Sequence, residues 1–384
     1  MFKIFYAEND ATIYEGAPDY NTGLDEILEI GKRLGTDGST LEKSRFIVKF
    51  NMSEITDTLT KYSVALTDCK FVLQLFTTHA KNLPADYTIN ANVVAQPWIN
   101  GTGFENEGVA ITDGITWAEP YASWSLDSQS GSLWISSSQA INIIGTDIVV
   151  SGSGEGGSWL WETGSVVYST SSFDSIEDFS TGRNTDINMD VSNAIQLWIS
   201  GSGGVSVDNN GFLLRFSDAD ESDETKTGYI RYFSRETHTI YVPKLTMYWD
   251  NSTFATGSLS AVDLESYLTY SKTKPTYKDT EVTKIRIYAR DKFPRKSPEN
   301  LYPLQTVKYL PSTTYYAIRD AATDEYIIPF DNIYNKVSCD STSNFIYVDM
   351  NSFMPERYYR IELKIVDGFT EEYIDDQIYF KVVR

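Results

Sequence analysis

Apolar and polar residues along this chain alternate with a period of two far more often than with the helical period. Segments 12–14, 27–30, 68–77, 87–95 and 211–216 read as strands, punctuated by turn residues such as Pro18 and Asn21-Thr22-Gly23. Segment 44–50, Ser-Arg-Phe-Ile-Val-Lys-Phe, is too apolar for a strand with one wet face and is predicted to be central in its sheet. Segments 230–234 and Lys244–Trp249 read as a strand pair around Glu236–Thr237–His238–Thr239, with 245–249 half-buried at the closing edge. Phe46, Val48, Phe50, Leu213, Leu245, Met247 and Trp249 are the predicted core. Segment 186–200 is the best helix candidate. Asp190 or Ser192 would cap it, Ala194, Ile195, Trp198 and Ile199 would form its apolar face, and Gly201 would end it. Segment 51–58 is read as a loop or a single helical turn, and the acidic run 217–224 as a turn.

The pattern changes twice. Residues 125–172 are rich in Gly and Ser but also hold Trp134, Trp159 and Trp161, which a flexible linker does not need. They read as loops and short strands inside one domain. After Asp250 the composition shifts again. This predicts a first domain over 1–256, a linker over 257–276, and a second domain over 277–384 with strands at 283–288, 314–319, 326–329, 345–348, 358–366 and 379–384. Turn signals at regular spacing make that second domain a smaller β-sandwich. The whole is therefore all-β.

Charge separates the two domains. Residues 1–256 carry 15 Lys+Arg against 34 Asp+Glu, and residues 257–384 carry 17 against 19. No Lys, Arg or His occurs between Asn82 and Gly182. Such a surface repels phosphate, so nucleic acid is not expected as a partner of the first domain. The N-terminal residues show no apolar leader, and no run of 18 apolar residues occurs, so neither secretion nor a membrane partner is expected. Cys69 and Cys339 are 270 positions apart and are expected to be buried thiols, not a disulfide or a metal site.

Candidate chemistry is sparse. His238 has Ser234, Glu236 and Asp250 near it in sequence, but no sharp strand-to-helix turn presents the serine, so His238 reads as a turn residue. The acidic run supplies Asp218, Asp220 and Asp223. Asp223 stands where a calcium-binding helix–loop–helix needs Gly, and Tyr229 where it needs Glu, which leaves only a looser surface calcium site as an option. No other cofactor is expected. Tryptophans 98, 117, 124, 134, 159 and 161 read first as core or interface anchors; the alternative is that Trp134, Trp159 and Trp161 stack on sugar rings. The densest basic stretch holds Arg286, Arg290, Lys292, Arg295 and Lys296. Together with Tyr315 and Tyr316 it is the candidate docking face.

The order of "DATIYEGAPDYNTGLDEILEIG", "KSRFIVKFN", "YTINANVVAQPWINGTG", "DGITW", "DINMDVSNAIQLWISG", "GFLLRFSD" and "YFSRETHTIYVPKLTMYWDN" resembles the DNRLRE-type jelly-roll module found in secreted adhesive proteins and in virion proteins of tailed bacteriophages. The resemblance spans roughly the first 250 residues and carries no catalytic residue. It implies an N-terminal jelly-roll sandwich and a non-enzymatic virion structural protein. Such a protein would be made in the host cytoplasm and assemble with other virion proteins and copies of itself at the neck, tail or baseplate. The alternative is an adhesion module that contacts cell-surface polysaccharide.

Overall fold

The structure is a computed structural model and describes residues 1–104, 113–121, 133–136, 148–162, 174–201 and 207–384. It is all-β, built from several mostly antiparallel sheets. Contacts divide it into a larger unit, residues 5–246, and a smaller unit made of residues 1–4 and 247–384. The chain passes between the units within two strands, Phe2–Tyr6 and Lys244–Trp249.

In the larger unit, the main sheet runs in the order Ser175–Ser180, Asp86–Val93, Phe212–Phe216, Leu41–Lys49, Ile27–Leu34, Gly228–Phe233 and Thr77–Lys81, with Asn9–Tyr14 also paired to Leu41–Lys49. A second sheet takes Cys69–Leu75 and Ile187–Asp190 together with the two strands that continue into the smaller unit. Register fixes which side chains share a face. Val48 lies opposite Phe212 and Phe46 opposite Leu214, which sends these four to one side. Ile47 lies opposite both Leu213 and Ala11, which sends those to the other side. All seven are buried. The first face packs against Tyr232 and against Trp198 on helix Ser192–Ser200, whose ring centroid is 4.8 Å from that of Phe212. The second face meets a separate cluster in which Ala11, Ile13, Ile47 and Leu213 lie under Trp117, Trp134 and Trp159.

The glycine-rich middle of the chain is thus a cover for the sheet. Trp134 donates its indole N–H to the carbonyl of Thr116 at 3.2 Å, and Trp98 donates to that of Asn210 at 2.7 Å. Gly156 sits at φ +71°, where a Cβ would fall 2.7 Å from the Trp117 ring, so only glycine lets the loop close on it.

Several local expectations change. The segment after Asn51 is a full helix, Met52–Tyr62. Asn51 accepts from Ser53 N–H at its start, and Ser63 in the left-handed region ends it. The expected helix at 186–200 begins as strand Ile187–Asp190, paired to Cys69–Leu75; the helix starts only at Ser192, and Gly201 ends it as expected. Gly228–Phe233 and Lys244–Trp249 are not a strand pair but lie in different sheets. Lys244–Trp249 is also buried along its whole length rather than half-buried, because it has strands on both sides. The seven predicted core residues are all buried. Both cysteines are free and buried, and burial pushes their thiols up, to about 12 for Cys69 and about 11 for Cys339.

The smaller unit is a sandwich of two sheets. One runs Tyr267–Ser271, Val282–Asp291, Asn344–Asp349, Ser338–Cys339. The other runs Thr276–Lys278, Thr370–Val383, Arg357–Asp367, Thr314–Asp320, Tyr326–Ile328. Ile285, Ile287, Ala289 and Ile346 from the first, and Tyr316, Ile318, Ile361, Leu363 and Phe380 from the second, are buried. Residues 257–276 are not a linker: Tyr267–Ser271 pairs along its full length with Val282–Asp291. The last strand begins at Thr370, well before the expected 379.

Trp249→Ala removes a fully buried ring and should cost about 3–5 kcal/mol in denaturant unfolding. A loss under about 1 kcal/mol is what a surface site would give.

Candidate functional site

The acidic run is already saturated from within. Its centre is a short helix, Asp218–Ser222, capped by Ser217. Lys32, itself buried, donates its ammonium to the carbonyls of Asp220, Glu221 and Asp223 at 2.9, 3.1 and 2.5 Å. A side-chain cation therefore occupies the carbonyl cage that a calcium ion would need. Asp220 accepts from Thr88 N–H and Ser217 and pairs with Lys226, and Asp223 accepts from Thr225. Glu221 takes both arms of Arg45, at 2.9 and 2.5 Å. Arg215, wholly buried, donates to Asp218 at 2.6 Å and to Asn92 at 3.0 Å, with its guanidinium 4.3 Å from the Trp159 ring centroid. Among the described residues no cluster of His, Cys, Asp or Glu is arranged to hold a metal.

The expected sugar-stacking rings fare similarly. Trp134 and Trp159 are buried in the outer cluster and offer no face to a ligand; the ring of Trp161 lies outside the described residues. A cleft of about 270 Å³ opens nearby among Tyr14, Tyr20, Glu29, Arg33 and Glu42, but the Glu29 carboxylate in it is consumed by Arg33, Arg231 and Ser44. His238 has a side chain 92% exposed, with Glu26 at 3.7 Å. Ser234 is buried, donating to the carbonyl of Asp25 at 2.5 Å and accepting from Glu236 N–H. Neither is held as a base and nucleophile pair would be. A perturbed carboxyl that the sequence did not single out is Asp10. Burial pushes its carboxyl up to about 7, against a 2.6 Å hydrogen bond from Arg235 N–H.

The basic stretch divides. Arg286 and Arg290 lie on the outward face of strand Val282–Asp291, where Ile285, Ile287 and Ala289 point inward. Lys292, Arg295 and Lys296 lie beyond it in an exposed loop, beside Phe293 at 78% exposure. Tyr315 and Tyr316 do not join them. Both belong to strand Thr314–Asp320 in the other sheet and are buried; Tyr316 is in the core, and Tyr315 lies under Lys364, 5.5 Å from its ammonium.

Strand pairing assembles a different set around Arg286 and Arg290. Leu268 lies opposite Arg290, Tyr270 opposite Tyr288, Phe345 opposite Arg286 and Tyr347 opposite Lys284. Tyr270 and Tyr288 stack at 5.2 Å, the Lys272 ammonium lies 6.0 Å from the Tyr288 ring, and that of Lys284 lies 3.6 Å from the Phe345 ring. This face thus carries Lys272, Lys284, Arg286 and Arg290 among aromatic rings. One carboxylate answers them: Asp340 accepts from Lys284 at 2.7 Å and from Arg286 at 3.0 and 3.1 Å. Those contacts, the Arg286 hydrogen bonds foremost, hold its carboxyl well below the usual range. Among the described residues Lys272 and Arg290 have no acidic partner. The outward face of the opposite sheet pairs most of its cations, Arg319 with Glu362, Arg360 with Asp324 and Glu362, Lys364 with Glu371, Lys381 with Glu356, and leaves Lys278 on its edge strand without an ion pair among the described residues.

No model of a known protein family matches the chain, and no curated protein does. Among solved structures, the adhesin domain of Epf from Streptococcus pyogenes aligns over 98% of this chain and 92% of its own at 8% identity, with a TM-score of 0.16. A likeness that distant says nothing about function. No helix among the described residues is long and apolar enough to cross a membrane.

Two outcomes are expected. Lys32→Met strands three carbonyls and should cost about 1–3 kcal/mol, while added millimolar calcium leaves the wild-type melting temperature unchanged. For Asp10, the folded state holds a proton between about pH 4 and 7 that the unfolded chain releases. Stability from this group is full below that window and falls as pH rises through it, by at most about 1.4 kcal/mol per pH unit. Unfolding titrations of wild type and Asp10→Asn should diverge across that window and run parallel above it.

Proposed function

We propose that this chain is a non-enzymatic virion structural protein of a tailed bacteriophage, assembling in multiple copies at the neck, tail or baseplate, and that it docks through the aromatic and cationic sheet face of its smaller unit. The resemblance of the larger unit to jelly-roll modules of virion proteins supplies the setting. The observation that carries the docking role is the imbalance on that face: four cations and exposed rings with one carboxylate, in a chain of net charge −21. A solvated sheet face gains nothing from such an arrangement, whereas aromatic and Arg side chains are what protein interfaces favour at their centres. An acidic partner surface would complete the pairing and speed encounter. The polysaccharide alternative loses two of its three expected contacts, since Trp134 and Trp159 are buried.

The test is a cryo-EM map of tailed particles made with the full-length chain and, separately, with its Arg290→Glu/Lys272→Glu variant. The wild type should appear in repeated copies, and the variant should be depleted at least tenfold. Particles without density for the chain contradict the virion reading. A variant incorporated at wild-type occupancy contradicts the docking face.

A further inference from the structure

We infer that the surface received by this cationic face is the acidic larger unit of a second copy, so that copies join head to tail. The inference rests on the docking role proposed above and names its partner.

The larger unit carries 14 Lys+Arg against 33 Asp+Glu. Many of its cations are already committed: Arg45 and Arg215 to Glu221 and Asp218, Arg33 and Arg231 to Glu29, Lys226 to Asp220, Arg183 to Glu177. The carboxylates left over outnumber the outward lysines such as Lys61 and Lys81, and include Glu54 and Asp57, three apart and exposed on helix Met52–Tyr62. Like surfaces of this charge repel one another, which disfavours a contact between two larger units. The opposite pairing, cationic face to acidic unit, has attraction at long range and rings to bury at contact. Single-stranded nucleic acid also suits cations interleaved with rings, but the net charge of −21 opposes the approach of a polyphosphate.

The two surfaces belong to different units, so the contact is heterologous. Each copy uses one surface and leaves the other free, and growth continues until it closes into a ring or runs on as a filament. Where both contacts form between the same two copies, the ring closes at two.

Full-length protein, analysed by sedimentation velocity and native mass spectrometry, should form oligomers at low salt that dissociate as salt rises. Lys272→Glu/Arg290→Glu should be monomeric, and Lys272→Glu alone, at an exposed residue with no ion pair, should weaken association several-fold with an unchanged melting temperature. The double variant still offers its acidic unit, so adding it substoichiometrically to wild type should cap the oligomers and shorten their distribution. A wild type that stays monomeric at low salt overturns the inference, as does a double variant that assembles normally, or a single-stranded oligonucleotide that binds the face. A monomeric wild type whose incorporation into particles still depends on Lys272 and Arg290 would leave the docking role standing and refute the second copy alone.

Discussion

The central strands of the larger unit are apolar on both faces, and each face must be taken out of water. An ordinary two-sheet sandwich covers one. The other would leave Ala11, Ile13, Ile47 and Leu213 exposed, at a cost of about 1.5–3 kcal/mol for each large side chain. The chain answers with Trp117, Trp134 and Trp159, carried in on irregular segments. Much else follows from that cover. Gly156 is a glycine because Trp117 is there. Arg45 and Arg215 lie beside the Trp159 ring, and the acidic run supplies the carboxylates that those buried guanidinium groups need. An acidic loop that looked like a metal-binding segment is the counter-charge of a core.

That relation also marks how far the sequence could be read. Strand 44–50 was legible as central because burial on both sides leaves a mostly apolar run, whereas 244–249, with Lys244 and Thr246 in it, was legible as a strand but read as half-buried. The helix at Met52–Tyr62 was not, because its three threonines are poor helix formers and only Ile55 and Thr58 are buried on it. Its signals lay at the ends, in Asn51 and Ser63. Segment 186–200 mixes two periods, a strand that then turns into a helix, and the apolar helical half dominated the reading. The crossing from one sheet to the other between Phe233 and Lys244 leaves no local trace, so two neighbouring strands looked like a pair.

The cationic face was half legible for a similar reason. Arg286 and Arg290 were found by adjacency, which also drew in Lys292, Arg295, Lys296 and two buried tyrosines. The alternation of strand Val282–Asp291 already separated Lys284, Arg286, Tyr288 and Arg290 from the inward isoleucines. What no linear reading supplies is register. Lys272, Tyr270 and Tyr347 reach the face only because their strands pair on either side of that one.

The smaller unit takes its first four residues from the opposite end of the chain. Phe2 packs edge-on against Phe353 at 5.7 Å, and Ile4 N–H donates to Ser352 at 3.3 Å. During synthesis these residues wait for partners made some 350 residues later, while the intervening larger unit emerges between them. At about 5–20 residues per second, the delay lasts tens of seconds. The smaller unit, and with it the cationic face, is therefore completed only after the acidic larger unit has been made.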